Sequence, residues 1–395
     1  MKSEVLQKAE EIKGYLTKLR QHLHQNPELG MKEVETTALL KKELQDMGIE
    51  IIPLDLEVGV LGILRGEKEG SNKVTALRAD IDALPIQEAT GLPYASQKEG
   101  VMHACGHEGH TISLLGAAKL LSSMRDQFSG TVKFIFQPGE ETLLGARAMV
   151  KAGVLENPQV DAIIMLHAWP FVEVGKIAVI AGPFQAAADK FFIKIKGSGG
   201  HGAYPHKSRD PLLTASHAVV ALQSIVSRQI DAIDSVVLSV CNFQAGKAFN
   251  VIPEEVTLGG TVRTFNQAVR ESIEGRMREI LHGVTKAFGC SYELEYEYGI
   301  PAVVNHPEVI ELIREAAKDA IGEENVEDFP RPIMTSEDFS VYLQEVPFGA
   351  GFRLGVGKPG EGEPVALHNP LFNFNDDALP IGAAVFTQFV LNFNQ

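Results

Sequence analysis

The spacing of apolar residues changes period twice along this chain, and that change constrains its fold more than any single motif. Up to about residue 180, helical and strand-like segments alternate. An opening helix breaks near "QNPELG", at Pro27 and Gly30, and "EVETTALLKKELQDMG" reads as a second helix closed by Gly48. The apolar runs "VGVLGIL", "KVTALRA", "GTVKFIFQ" and "VDAIIMLH" read as strands, with a helix over "HTISLLGAAKLLSSMR" between them. Such alternation predicts a layered α/β domain with a mostly parallel central sheet.

From about Asp189 the period is different. "KFFIKIKG" reads as a strand, and Asp210 then caps a helix with Pro211 at its first position. Leu212, Ala215, Val219, Leu222 and Val226 keep helical spacing. "SVVLSVCNFQAG" and "EVTLGGTVRTF" follow as strands, then a long helix over "QAVRESIEGRMREILHGVTKAFG" and a last strand, "SYELEYEYG". The order β-α-β-β-α-β predicts a small ferredoxin-like α+β domain. After Pro301 the first pattern returns, ending in a helix after Pro380. At 395 residues the chain exceeds one ordinary core. The simplest organisation is an α/β domain split between residues 1–186 and 301–395, with residues 187–300 inserted into it.

Several function classes are disfavoured. A net charge of −15 argues against nucleic acid as a partner, because phosphate binding needs clustered Lys and Arg. No run approaches the ~20 apolar residues of a membrane helix. The N-terminal segment is amphipathic, without the apolar stretch of a secretory signal. Cys105, Cys241 and Cys290 are too few and too scattered for a disulfide framework. The expectation is a soluble, reduced, cytoplasmic protein.

The segment "MHACGHEGHT" gathers His103, Cys105, His107 and His110 just ahead of an apolar helix. A thiolate with imidazoles suits Zn²⁺ and similar metals, although a Cys–His pair also fits simple packing at a helix start. Other loops end predicted strands in polar groups: Asp80 and Asp82 in "ALRADIDALP", Glu140 and Glu141 in "FIFQPGEE", and His167 in "AIIMLHAWP". His368 follows in "VALHNPLF". Adjacent glutamates permit one to hold a metal while the other acts as general base, and they equally fit an acid-rich helix start. A lone histidine after an apolar strand is usually structural. Loops at carboxyl ends of strands are nevertheless where α/β sites form, and so many ligand types converging there argue for a metal centre.

These residues carry a resemblance. The segments "RQHLHQNPELG", "LRADIDALPI", "HACGHEGHT", "FQPGEE", "LHAWP", "GSGGHGAYPHKSRDP", "FNVIPEEVTLGGTVRTF", "SEDFS" and "LHNPLFNFNDDALPIG" run in order along nearly the whole chain. Together they resemble the M20 metallopeptidase clan, in its amidohydrolase branch of aminoacylases, hippurate hydrolases and hydrolases of indole-acetyl amino acid conjugates. The resemblance implies two divalent metal ions held by Cys105, His107, Glu141, His167 and His368, with Glu140 as general base and Asp82 in support. His103 and His110 fall outside that ligand set. Thiolate and imidazole point to Zn²⁺, while the carboxylate and histidines also suit Mn²⁺, Co²⁺ or Ni²⁺. The inserted domain would be a lid and dimerisation domain, giving a homodimer. Its His201, Asn250 and Arg263 would bind the substrate carboxylate and polarise the scissile carbonyl. On spacing alone, Arg263 reads as an exposed strand residue.

The function so implied is hydrolysis of the amide bond in N-acyl amino acids by metal-activated water. An exopeptidase or dipeptidase of the same clan is the alternative, followed by a non-catalytic metal-binding relative. Three departures from the family pattern stand out: Glu108 where Asp is common, Leu143 and Leu144 where small residues are usual, and Thr335 where Gly is usual. None removes a ligand or the base. Leu143 and Leu144 bear on substrate preference.

Overall fold

A computed structural model describes residues 3–358, 360 and 362–395, so Met1 and Lys2 of the opening segment lie outside the described residues. The chain divides into two compact units. One runs to Phe184 and resumes with Val304–Pro332 and Asp338–Gln395; the other comprises Gln185–Val303 and Ile333–Glu337.

The first unit is built on an eight-stranded mixed sheet. Strand Val74–Asp80 lies parallel to both Thr131–Gln137 and Ala162–Glu173, and Gly349–Gly357 lies parallel to Ala162–Glu173. Antiparallel pairings occur towards the edges, where Val60–Arg65 joins Thr131–Gln137 and Ile177–Val179 joins Gly349–Gly357. The central strands are buried on both faces, which is why they read as continuous apolar runs. Their shared direction brings Asp80, Gln137 and the loop beyond them to one end of the sheet, where His167 also stands.

Helix His107–Ser122 is buried almost all round, without the polar stripe of a surface helix. It packs against the C-terminal helix Leu379–Phe393, itself almost wholly apolar. Gly116 allows this approach: a Cβ there would stand 2.8 Å from the Ala383 side chain. The opening helix forms as two pieces, Glu4–Glu11 and Lys13–Gln25, because Ile12 leaves helical geometry at φ −92° and ψ 2°. Pro27 and Gly30 follow the second piece, as their helix-breaking character predicts.

The second unit has a four-stranded antiparallel sheet in the spatial order Val236–Ala245, Glu255–Thr264, Ala187–Lys196, Ser291–Ile300. Phe191, Ile193 and Ile195 alternate inward, beneath helices Pro211–Ser224 and Gln267–Phe288. Asp210 caps the first helix, its Oδ1 accepting from the N–H groups of Leu212 at 2.9 Å and Leu213 at 3.1 Å. Such a cap contributes about 1 kcal/mol. The buried Asp189 carboxylate accepts from Arg270 Nη2 at 2.6 Å, Arg270 Nε at 2.9 Å, Tyr296 Oη at 3.1 Å and Gly299 N at 2.9 Å. A buried charge is tolerable when its oxygens are this fully paired. Among the described residues, no helix is long and apolar enough to cross a membrane.

Candidate metal centre and active site

The turn between Cys105 and His107 depends on glycine. Gly106 has φ 88°, and a Cβ there would also stand 3.2 Å from the Ala168 side chain. The helix begins at His107, so Cys105 lies just outside its first turn, and both side chains are buried.

Hydrogen bonds define the state of two imidazoles. His107 Nδ1 lies 3.0 Å from both the backbone oxygen and Oδ1 of Asp82. Both are acceptors, so Nδ1 carries hydrogen, and Nε2 is buried without a hydrogen-bond partner among the described residues. His167 Nδ1 likewise lies 2.8 Å from the Ala168 carbonyl oxygen, which turns its Nε2 towards Cys105 Sγ at 3.8 Å. An imidazole pinned through one nitrogen and aimed with the other is the arrangement a metal ligand needs. Asp82 Oδ2 meanwhile accepts the backbone N–H of Glu141 at 2.9 Å.

Among the groups of potential ligand atoms that cluster within 4.8 Å, three are made of the predicted ligands and base: Cys105, His107 and His167; Cys105, Glu141 and His368; and His107, Glu140 and Glu141. Cys105, His107 and Glu141 each occur in two of them. His368 Nε2 is 3.2 Å from Glu141 Oε1, and the His368 backbone is pinned by its N–H to the Ala104 carbonyl at 2.7 Å. The five predicted ligands therefore lie together. Thiolate, carboxylate and imidazole donors, all aimed at one another across a few ångströms, fit a pair of divalent cations.

The electrostatics agree. Burial lowers the pKa of His107, but Asp80, Cys105 and Asp82 outweigh burial and hold it well above the ordinary value. The surroundings therefore favour positive charge at this point. Burial, reinforced by His110 and Arg353, holds His167 well below the ordinary value, leaving its lone pair available. Burial pushes the Cys105 thiol up to about 12, so a thiolate here requires a cation beside it.

His110 is committed elsewhere. Its Nδ1 is 2.7 Å from Asp80 Oδ1, and its Nε2 accepts the Ala168 N–H at 2.7 Å. Neither nitrogen is left for a metal. His103 is fully buried, 3.9 Å from Glu108 Oε2. Glu108 is absorbed by a polar cluster: its Oε1 meets His24 Nδ1 at 2.8 Å and Arg20 Nη1 at 3.8 Å. Glu140 is buried, and the backbone N–H of Asp338 reaches its Oε1 at 3.4 Å. Glu33 accepts the Gly139 N–H at 2.8 Å and steadies the same turn. Nothing local in the sequence marks Arg20, His24, Glu33 and Arg78 as buried, because charged residues in predicted helices and strands carry no signal of burial.

The remaining predicted residues belong to the second unit. His201 pairs with Val251 in a short ladder, and the Gly202 N–H reaches the Asn250 carbonyl at 2.8 Å, which makes His201 and Asn250 neighbours. Arg263 lies on strand Glu255–Thr264, half-buried, with Nη1 donating to the Thr261 hydroxyl and to the Val262 carbonyl at 3.1 Å.

Residues 76–392 match the model for peptidase family M20/M25/M40. The chain belongs to this family. It is 42% identical over 368 residues to an N-acetyl-L-cysteine deacetylase of Bacillus subtilis, covering 93% of this chain and 85% of that one. It is 39% identical over 383 residues to the hippurate hydrolase of Campylobacter jejuni, covering 97% of each. Among solved structures, the YXEP protein of Bacillus subtilis, described as a dinuclear metal binding peptidase from the M20 family, aligns with a TM-score of 0.85 at 35% identity. That alignment covers 97% of this chain and 98% of the other.

Within this M20/M25/M40 member the departures have distinct settings. Leu143 adopts φ 59°, a left-handed conformation that favours glycine, and Leu144 is 56% exposed. The Thr335 carbonyl accepts the Ala186 N–H at 2.8 Å, a contact available to any residue, and its hydroxyl accepts from Gln185 Nε2 at 3.3 Å, which a glycine could not.

Proposed function

We propose that this protein is a metal-dependent amidohydrolase that splits N-acyl amino acids into a carboxylate and a free amino acid. The observation that carries this reading is the convergence of His107 Nε2, His167 Nε2 and Cys105 Sγ beside the adjacent carboxylates Glu140 and Glu141. Cys105, His107, Glu141, His167 and His368 hold two divalent cations. When bound, such cations lower the pKa of water from 15.7 towards ~7 and polarise a carbonyl oxygen.

Glu140 accepts the proton of the attacking water and delivers it to the nitrogen of the breaking C–N bond, so the amine leaves neutral. Its neighbour Glu141 is held in place through its backbone N–H by Asp82. His201 donates to the oxyanion that forms on the acyl carbon, a role whose loss typically costs ~10²–10³ in rate. Arg263 takes the substrate carboxylate, for which a planar fork of donors is suited, and Asn250 assists. The second unit serves as the lid, and closure excludes bulk water. A homodimer forms through that unit, whose sheet ends in the edge strands Val236–Ala245 and Ser291–Ile300. A cytoplasmic setting accords with three free cysteines.

The experiment is hydrolysis by chelated protein reloaded separately with Zn²⁺, Mn²⁺, Co²⁺ and Ni²⁺, on N-acetyl and N-benzoyl amino acids with dipeptides alongside. Metal-dependent release of amino acid from the acyl substrates is expected. Cleavage of dipeptides alone would replace this reading with an exopeptidase.

A further inference from the structure

The turn carrying Glu140 is gripped from both sides by one residue that does not belong to the ligand set. Asp338 accepts from Gln137 Nε2 through both carboxylate oxygens, at 2.8 and 2.9 Å. Its Oδ2 also accepts the Ala146 N–H at 3.0 Å. Gln137 ends the strand that precedes the turn, and Ala146 lies in the helix that follows it. Between these two anchors, the backbone N–H of Asp338 points to Glu140 Oε1 at 3.4 Å. One residue thus touches the entry, the exit and the carboxylate of the same turn.

Asp338 is itself oriented by a buried guanidinium. Arg78 Nη2 donates to Asp338 Oδ1 at 2.8 Å, Nη1 to Asp80 Oδ2 at 2.7 Å, and Nε to Gln137 Oε1 at 2.8 Å. Arg78, Asp80, Gln137 and Asp338 are all fully buried. The other oxygen of Asp80 holds His110, which accepts the N–H of Ala168 next to His167. A continuous chain of hydrogen bonds, most of them to charged groups, therefore runs from the strand bearing His167 to the turn bearing Glu140. Each link is shielded from water, where such bonds are short and directional.

We propose that Asp338, oriented by Arg78, is a positioning residue for Glu140; this rests on Glu140 acting as the general base. A base must be held within about 0.5 Å of its working place, and a 1 Å misplacement can cost about 10²-fold in rate. Asparagine at 338 keeps the volume and the backbone N–H but replaces one acceptor by a donor. That donor would face either the Gln137 and Arg78 donors or the Ala146 N–H, so one anchor of the turn is released.

The test is a double-mutant cycle on the metal-loaded enzyme, with kcat, KM, metal content and thermal midpoint measured for Asp338→Asn, Glu140→Gln and the double variant. Arg78→Lys, which removes the fork but keeps the charge, is measured beside them. The expected result is a fall in kcat of roughly 10- to 100-fold for Asp338→Asn, with KM and metal content unchanged. The double variant should be no slower than Glu140→Gln, since residues acting as a unit are not additive. Arg78→Lys should lower kcat in the same pattern. Unchanged kcat in Asp338→Asn would overturn the proposal. So would equal loss from Asp338→Asn with and without Glu140, or a loss that only tracks lost metal and lost stability. If Asp338→Asn does not fold, Asp338→Glu, which keeps both acceptors but displaces the backbone, is judged by the same criteria. Full turnover by Glu140→Gln alone would instead overturn the reading of Glu140, a failure visible without any Asp338 variant.

Discussion

Asp82 stands with Oδ1 3.0 Å from Nδ1 of His107, and its other carboxylate oxygen accepts the backbone N–H of Glu141. One carboxylate therefore orients both an imidazole and a neighbouring carboxylate of the proposed metal site. Asp82→Asn retains the size but offers only one side-chain acceptor, so either the Glu141 turn loses its partner or the imidazole is left with the Asp82 backbone oxygen alone. Loss of such a support typically lowers metal affinity ~10–100-fold. Competition with a chelator of known affinity, compared between wild type and variant, checks this; equal affinities would remove Asp82 from the support of the site.

Gly106→Ala should damage the centre without touching a ligand. At φ 88° a Cβ is disfavoured by about 1–2 kcal/mol, and here it would also press on the Ala168 side chain at 3.2 Å. Ala168 is the residue whose carbonyl pins His167. The expected outcome is a lower thermal midpoint together with reduced metal occupancy, read by calorimetry and elemental analysis.

Stability should carry a signature of His24. Burial lowers its pKa, but the hydrogen bond and charge of Glu108, with help from Glu88, outweigh burial and the repulsion of Arg20, so the net shift is upward from 6.5. For a base raised in the folded state, the stabilisation is fully present below 6.5 and is lost as pH rises through the folded value. Glu108 stays charged throughout: burial raises it, but His103, His24 and Arg20 hold it at about 2. Urea unfolding between pH 6 and 9 should therefore show stability falling with pH. His24→Gln should flatten that fall, and an unchanged slope would assign it elsewhere.

Leu143→Gly should raise stability. A leucine at φ 59° stores strain of order 1 kcal/mol, which glycine removes, although glycine also gains freedom in the unfolded chain. A small upward shift in thermal midpoint is expected. A downward shift would mean that packing of the leucine side chain outweighs the strain. Comparing kcat/KM on acetyl and benzoyl substrates in the same variant tests the bearing of this position on substrate preference.

Much of this molecule was legible before any fold was seen. The apolar runs that became the central strands, the helix after "HACGH", and the β-α-β-β-α-β order of residues near 187–300 follow from local periodicity, which is a property of consecutive residues. Cys105, His107, Glu140, Glu141, His167 and His368 stood out because strand ends and glycine-rich turns are local features as well. Their order along the chain also carried the resemblance to the M20 clan.

Tertiary structure decided what periodicity could not. Nothing local distinguishes His110 from His107, three residues apart on one helix. They differ because Asp80 and the Ala168 N–H take both nitrogens of His110, whereas Asp82 takes only one of His107. The same holds for Arg78 and Asp338, 260 positions apart in sequence and 2.8 Å apart in space. Sequence specifies which groups can donate and accept; which of them meet, and which are left facing a cation, depends on how strands far apart in the chain come to lie side by side.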